Sequence, residues 1–220
     1  MQTEVNLRKF QRAAINDQVT LTHMPVQQNY QSQDVWSRAT SVNGHPFDEL
    51  RSVLQKSIRR GLIEEAVLAA YEFFSSGAEA EEVLWRRLEI IATEDVGFGL
   101  IEAPAILEAL NAQRLRMLDR GDRWMYSVHA VRLLATAKKD NTTMELACWA
   151  QVSVARGERR VEVQDFHVDM HTRRGVEAGR DVKHWWTQGA KLENKLSAAQ
   201  TPWGKYLDDL YMGRKEQKED

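Results

Sequence analysis

Residues 47–61 read FDELRSVLQKSIRRG, and the apolar side chains in them recur at steps of three and four residues. Side chains at this spacing share one face of a helix, and a glycine such as Gly61 commonly ends one. The apolar face consists of Phe47, Leu50, Val53, Leu54 and Ile58. Similar spacing predicts five further helices, over residues 63–74, 80–93, 105–118, 124–137 and 142–154. Helices of this length joined by short loops are typical of an antiparallel multi-helix array, so the predicted fold class is all-α.

The segments that flank this array differ from it in composition. Residues 1–44 are rich in Gln, Asn, Thr and Ser without a helical period, which indicates an irregular N-terminal arm or a disordered leader. Residues 45–157 form the predicted helical domain, and residues 158–211 are predicted to be a C-terminal extension packed on it. A short helix is expected over residues 175–188, and the charged tail, residues 212–220, should be frayed.

Composition excludes several classes of protein. Lys plus Arg number 30 and Asp plus Glu 32, so a net charge of −2 argues against a strongly basic nucleic-acid binder. The single cysteine, Cys148, excludes an intramolecular disulfide, and its apolar neighbours predict a core thiol. The first residues lack the apolar run of a signal peptide, and no stretch approaches the roughly 18 apolar residues of a membrane helix. We therefore expect a cytoplasmic protein without a membrane partner.

Three segments resemble one family. They are FDELRSVLQKSIRRG (47–61), EVLWRRLEIIATEDVG (82–97) and AVRLLATAKKDNTT (130–143). In this order and spacing they resemble the C-terminal helical domain of the replication-associated recombination ATPases, which are clamp-loader-like AAA+ proteins of genome maintenance. The resemblance covers roughly residues 46–156. It implies a fold like the clamp-loader collar, a homo-oligomer (dimer or tetramer), and a role in DNA replication, recombination or repair with DNA or a replication protein as partner.

The chain departs from that family in two ways. It has no GxxxxGK[ST] phosphate loop, because the pair Gly204-Lys205 is followed by Tyr206 and no glycine stands five residues earlier. Nucleotide hydrolysis is therefore not expected, and neither an enzymatic activity nor a cofactor is predicted. The aromatic, proline-rich end of the family is replaced by DFHVDMHTRRGVEAGRDVKHWWTQGAKLENK, residues 165–195.

This C-terminal segment contains a candidate metal site. If the chain is extended there, His167, Asp169 and His171 lie on one side of it, since side chains alternate along a strand. Two imidazoles and a carboxylate suit a first-row divalent metal, and His184 or Asp165 could supply a fourth ligand. The alternative is a polar loop in which the histidines bond to the backbone.

The same segment contains a candidate phosphate, nucleic-acid or partner site. Arginines beside glycines can bind an anion closely, and adjacent tryptophans can stack on bases. The residues of this site are Arg173, Arg174, Gly175, Gly179, Arg180, Lys183, Trp185 and Trp186. In the alternative interpretation, the tryptophans anchor the tail in the helical domain and the arginines pair with Asp181 and Glu177.

A third cluster is Glu94-Asp95, at the end of the predicted third helix. Paired carboxylates can act as acid and base, but here they face the unfavourable end of the helix dipole. A structural ion pair is therefore the preferred interpretation. The candidate partners are Arg132, Lys138 and Lys139.

The leading hypothesis is a non-catalytic oligomerising and binding module in DNA replication or repair. Two alternatives stay open. One is a metal-dependent hydrolase that uses His167, Asp169 and His171. The other is an adaptor that binds a separate ATPase through the arm, residues 1–44.

Overall fold

The computed structural model describes residues 35–214 of the chain. Within these residues there are nine α-helices and no β-strand, so the predicted all-α class is confirmed. The described residues divide into two compact units, 35–159 and 160–214, close to the predicted boundary after residue 157. Most of the predicted arm, residues 1–34, and the end of the charged tail, residues 215–220, lie outside the described residues.

The first unit contains six α-helices. They are α1 (Phe47–Arg60), α2 (Ile63–Ser75), α3 (Ala78–Ile91), α4 (Ala103–Leu115), α5 (Trp124–Thr136) and α6 (Thr142–Ala155). A π-helical turn, Ala92–Val96, continues α3 and leads into a 3-10 turn, Gly97–Leu100. All six predicted helices are therefore present.

The ends of these helices follow local chemistry. Gly61 ends α1 with a φ of 72°, and its N–H donates to the carbonyl of Ile58, as the sequence predicts. α4 begins two residues before its predicted start, with Pro104 in its first turn. It also ends three residues early, because Met117 N–H donates to Arg114 O, three residues back, in place of the α-helical bond.

The core of the first unit is formed by α1 to α5. α3 and α5 each contact all of the other four helices, so the core is built around these two. The largest fully buried apolar side chains are Trp85, Phe73, Leu54, Ile58, Leu84, Leu88, Ile91, Leu107 and Leu134. The described end of the N-terminal arm packs on this core, since Trp36 contacts Phe47 edge to face at 5.2 Å between ring centroids.

A buried arginine ties α4 to α3. Arg114 is 1% exposed, its Nη2 lies 2.6 Å from Glu82 Oε1, and its guanidinium lies over the ring of Trp85. Glu81, also 1% exposed, is 3.2 Å from Arg123 Nε and 3.7 Å from Arg114 Nη1. Buried charges need partners of this kind, so the network fixes how α4 sits on α3.

The second unit contains three short helices, α7 (Arg173–Glu177), α8 (Val182–His184) and α9 (Pro202–Tyr211). α8 continues into a π-helical turn, Trp185–Gly189. The single helix predicted over 175–188 is wrong, because Gly179 has a φ of 69° and interrupts it. α9 is absent from the predicted elements, although Thr201 caps it and Pro202 stands in its first turn.

Candidate functional site

The buried carboxylate of Asp95 lies where segments 47–61 and 82–97 meet. Asp95, in the π-helical turn after α3, has a side chain only 2% exposed, and its Oδ1 lies 2.6 Å from Arg59 Nε on α1. Gln55 Nε2 donates to Asp95 Oδ2 at 2.8 Å and to Glu94 Oε2 at 3.0 Å. Arg59 Nη2 also lies 3.6 Å from Glu94 Oε1. One ion-paired cluster therefore joins the two segments.

Segment 130–143 reaches the same ion-paired cluster through the loop between α5 and α6. Asp140 N–H donates to the carbonyl of Asp95 at 3.0 Å. The carboxylate of Asp140 accepts from the backbone N–H of Phe98 at 3.0 Å and of Thr142 at 3.2 Å. These hydrogen bonds, first the one from Phe98, hold the pKa of Asp140 below its usual range because they favour the charged form.

Two glycines let the loop approach the turn closely. A Cβ on Gly97, whose φ is 48°, would lie 2.6 Å from the carbonyl oxygen of Asp140. A Cβ on Gly99 would collide with the carbonyl group of Lys138. Both obstacles are backbone atoms, which cannot rotate away as a side chain can. The packing of the loop against the turn therefore requires both glycines.

Lys139 lies beside this cluster and caps α5. Its Nζ donates to the carbonyl oxygens of Ala135 at 3.0 Å and Ala137 at 2.6 Å, at the end of the helix that favours a cation. Burial lowers the pKa of the Lys139 ammonium, and the charge of Asp95 partly opposes this effect. All three segments therefore contribute charged groups to one small region.

The ion pair expected at Glu94-Asp95 is present, but its partner differs from the prediction. Arg59 pairs with both carboxylates, and Lys139 acts on Asp95 only through its charge. Within residues 35–214, Arg132 and Lys138 form no ion pair. Because Asp95 is buried and paired, the cluster stabilises the turn and presents no pair of carboxylates to a substrate.

α6 is the second notable feature, because almost all of its side chains are exposed. Its sequence, TTMELACWAQVSVA, is mostly apolar with Glu145 as its one charged residue, and only Ser153 is buried. Leu146, Trp149 and Val152 are 64%, 54% and 53% exposed. A helix that is hydrophobic on all sides is normally buried in a core, so within residues 35–214 α6 lacks the cover that its composition requires.

The apolar surface of α6 extends to the 3-10 turn before α4. A groove of about 450 Å³ is lined by Phe98 on this turn and by Leu146 and Trp149 on α6. Phe98 is itself 74% exposed. The exposed apolar patch is therefore continuous across two elements, as at sites that bind another protein surface.

The core setting predicted for Cys148 is wrong. The thiol is exposed on α6, and its Sγ lies 3.7 Å from Met144 Sδ. The prediction assumed that apolar neighbours mean burial, but Trp149 and the other neighbours are exposed together with it. The exposure of α6 is not among the predictions from the sequence. The distribution of its apolar residues could have indicated it, because they occupy every side of the helix and form no single stripe.

In the second unit, Arg180 is engaged with the chain itself. Its Nη1 donates to the carbonyl oxygens of Asp165 at 2.8 Å and Val168 at 2.7 Å, and its Nη2 pairs with the carboxylate of Asp165. Its Nη1 also lies 2.9 Å from His184 Nε2. The bond from Arg180 is the largest cause that holds the pKa of Asp165 below its usual range. Arg180 therefore holds the loop before α7 in place.

The two glycines of the predicted phosphate site have structural roles. A Cβ on Gly175 would collide with the backbone carbonyl of Asp169, and Gly175 N–H donates to Thr172 Oγ1 at 3.0 Å. This bond caps α7. Gly179 follows the end of α7 in the left-handed conformation with open space around it. Close packing of Gly175 leaves no approach for an anion at that residue.

The tryptophans of the predicted site pack inside the second unit. The rings of Trp185 and Trp186 lie 6.3 and 5.2 Å from the ring of Tyr211 on α9. Trp186 Nε1 donates to Asp208 Oδ1 at 3.1 Å. They hold α9 in this unit, while their anchoring in the helical domain stays a prediction.

The remaining residues of that site, Arg173, Arg174 and Lys183, are exposed. Arg173 Nε lies 3.6 Å from Glu177 Oε1, as expected, whereas Asp181 caps α8 by accepting from His184 N–H. Arg173, Arg174 and Lys183 are therefore exposed, while Arg180, Trp185 and Trp186 have partners within the second unit, and binding by these residues stays a prediction.

Of the three residues of the metal hypothesis, Asp169 and His171 contact each other, whereas His167 bonds to the backbone. Gln164 N–H donates to His167 Nδ1 at 2.9 Å, while His171 Nδ1 lies 3.2 Å from Asp169 Oδ1. Asp165–His167 is a 3-10 turn and not an extended strand, so the assumed alternation of side chains does not apply. In the part of the chain that the structure describes, no three His, Cys, Asp or Glu side chains are grouped to hold a metal ion.

Comparisons with known proteins leave the family open. No family model matches the chain. No curated protein matches it either. Among residues 35–214, no helix combines the length and the apolar character that a bilayer span needs.

Proposed function

We propose that the chain is a non-catalytic assembly module that self-associates through α6, as a dimer or tetramer, and acts in DNA replication, recombination or repair. The exposed apolar surface of α6 carries the self-association. The cellular role rests on the resemblance of segments 47–61, 82–97 and 130–143 to the collar domain of the replication-associated recombination ATPases. The convergence of these segments on Asp95 and Arg59 supports the view that they form one structural unit.

The proposed occupant of the α6 surface is a second copy of this chain. Glu145 is the one charged residue of α6, so two such helices meet with little repulsion and few charges to desolvate. A two-fold axis beside α6 places the same apolar patch on both sides of the interface, as in most homodimers. Such a patch packs against its own copy and needs no second kind of protein.

The energy available from this contact is of the same order as the cost of association. Leu146, Trp149 and Val152, spaced three residues apart, share one side of α6 and are each more than half exposed, so covering one of them contributes about 1 kcal/mol. Two copies then gain roughly 6 kcal/mol from these side chains alone, against a cost of about 4–15 kcal/mol for lost freedom on binding. Phe98, beside Leu146 and Trp149 in the groove, adds further apolar area.

The experiment is sedimentation velocity on the full chain and on two variants. Trp149→Ser with Val152→Ser removes apolar area from α6, and we expect a monomer of normal helical content. Leu68→Ser is the matched control, because Leu68 is 67% exposed on α2, away from α6. We expect this control to sediment as the unmodified chain does. Equal sedimentation of all three proteins would refute the assignment of α6 as the interface.

A further inference from the structure

A basic groove lies between α1 and α3 in the first unit. Two adjoining pockets of about 230 Å³ and about 220 Å³ share Arg51 and Arg87 in their walls. The cationic residues that line the two pockets define what we call the α1–α3 basic groove. They are Arg51, Lys56, Arg59, Arg86 and Arg87.

Positive charge is concentrated in this groove although the chain as a whole has a net charge of −2. The carboxylates in its walls are Asp48 and Glu94, and Glu94 lies 3.6 Å from Arg59. Lys56 and Arg86 are exposed and form no ion pair with any residue of the described chain. Cations that are not neutralised within the protein attract an anionic ligand.

The composition of the groove favours phosphate groups. All but one of its cations are arginines, and the planar guanidinium binds phosphate through two parallel hydrogen bonds. Because the two pockets adjoin and share Arg51 and Arg87, their cations line one continuous groove, which fits a polyanion better than a single small ion.

The second pocket has an apolar wall beside its arginines. Trp36, Val83 and Ile90 line it together with Arg86 and Arg87, and Ile90 is 51% exposed. A base of a single strand can lie on an apolar wall while the neighbouring phosphates meet the arginines. In a duplex the bases are stacked inside and do not reach such a wall.

We propose that the α1–α3 basic groove binds single-stranded nucleic acid, with its phosphates on Lys56, Arg86 and Arg87 and a base against Trp36 and Ile90. This site lies on α1 and α3 and not on the segment 173–186. Binding there is a function additional to assembly through α6 and does not require that assembly, so the two proposals fail separately.

The test is fluorescence anisotropy of a labelled oligothymidylate of about 20 nucleotides, longer than typical single-strand sites, with the full chain. The titration is made at about 50 mM and about 200 mM salt, since binding through phosphates weakens as salt rises. The test variant is Lys56→Ala with Arg86→Ala. The matched control is Arg173→Ala with Arg174→Ala, which removes the same charge from the second unit. Circular dichroism checks that both variants remain folded.

The unmodified chain should bind the oligonucleotide and lose affinity as salt rises. Lys56→Ala/Arg86→Ala should weaken binding on the order of tenfold and reduce the salt slope by about 1.4, at about 0.7 per lost contact to a single strand. The control should bind within about twofold of the unmodified chain, because exposed charges away from the contact contribute little.

Four results would overturn the proposal. The first is no binding by the unmodified chain at low salt. The second is a loss in the Arg173→Ala/Arg174→Ala variant without one in the groove variant, which would place the site in the segment 173–186. The third is displacement of the oligonucleotide by polyglutamate at equal charge concentration, and the fourth is equal affinity for a blunt duplex. Polyglutamate displacement would indicate an acidic peptide as the ligand, and equal duplex affinity would remove the role of the apolar wall.

Discussion

Removal of Arg59 should destabilise the first unit more than removal of Asp95, although the two form one ion pair. The side chain of Asp95 is 2% exposed and that of Arg59 is 43% exposed. Arg59→Ala leaves a buried carboxylate, and an uncompensated buried charge costs about 3–5 kcal/mol. Gln55 still donates to Asp95 and the charge of Lys139 is nearby, so we expect Arg59→Ala to lower the free energy of unfolding by about 3 kcal/mol.

Asp95→Ala has a smaller effect. It removes hydrogen bonds from Arg59 and Gln55, and both donors are accessible enough for water to replace the carboxylate. We expect a loss of about 2 kcal/mol, within the range for hydrogen bonds to a charged group. The double variant should lose about 3 kcal/mol, because no buried charge is left. The coupling energy is then about 2 kcal/mol.

The assay is urea unfolding of the full chain followed by far-ultraviolet circular dichroism, with linear extrapolation to water. Arg60→Ala is the control, because this exposed neighbour donates only to the carbonyl of Lys56 and should stay within about 0.5 kcal/mol of the unmodified chain. Equal losses for Arg59→Ala and Arg60→Ala would show that Arg59 does not compensate a buried charge on Asp95. Additive losses in the double variant would show that the pair is not coupled.

Three further predictions concern the loop contacts and the second unit. Gly99→Ala should cost about 1–3 kcal/mol by overpacking, whereas Gly121→Ala, which has open space around it, should be close to neutral in the same urea assay. The pKa of Asp140 is lowered in the folded chain, so it contributes stability above its unfolded pKa that is lost as pH falls through the folded value. Asp140→Asn should therefore flatten the decline of Tm below about pH 4, and an unchanged profile would count against these hydrogen bonds. Arg180→Lys cannot reproduce the forked contacts of the guanidinium, so hydrogen exchange in residues 165–172 should accelerate while the first unit is unaffected.

The helices of the first unit could be predicted because each has a local signal. α1 has an apolar stripe and ends at Gly61, and both features act within a few residues. α9 has equally local signals in Thr201 and Pro202, but it has no long periodic run of apolar residues, so it is not among the predicted helices. The early end of α4 depends on a bond of Met117 to the carbonyl of Arg114, which no pattern of apolar residues reveals.

The candidate site could be predicted only in part. The segments that form the cluster stand out in the sequence, but the pairing of Arg59 with Asp95 depends on how α1 crosses the turn after α3, and spacing along the chain contains no such distance. The exposure of α6 was missed because apolar composition alone does not tell a core face from an interface face. The metal hypothesis for His167 and His171 assumed a strand where the chain forms a 3-10 turn.

Static light scattering on the purified full chain, over a range of concentrations, tests self-association most directly. We expect a mass at least twice that of the 25.3 kDa chain at about 100 μM, falling toward 25.3 kDa on dilution. The Trp149→Ser/Val152→Ser variant should remain at 25.3 kDa throughout. A mass of 25.3 kDa for the unmodified chain at every concentration would show that the chain does not self-associate and that the apolar surface of α6 stays uncovered.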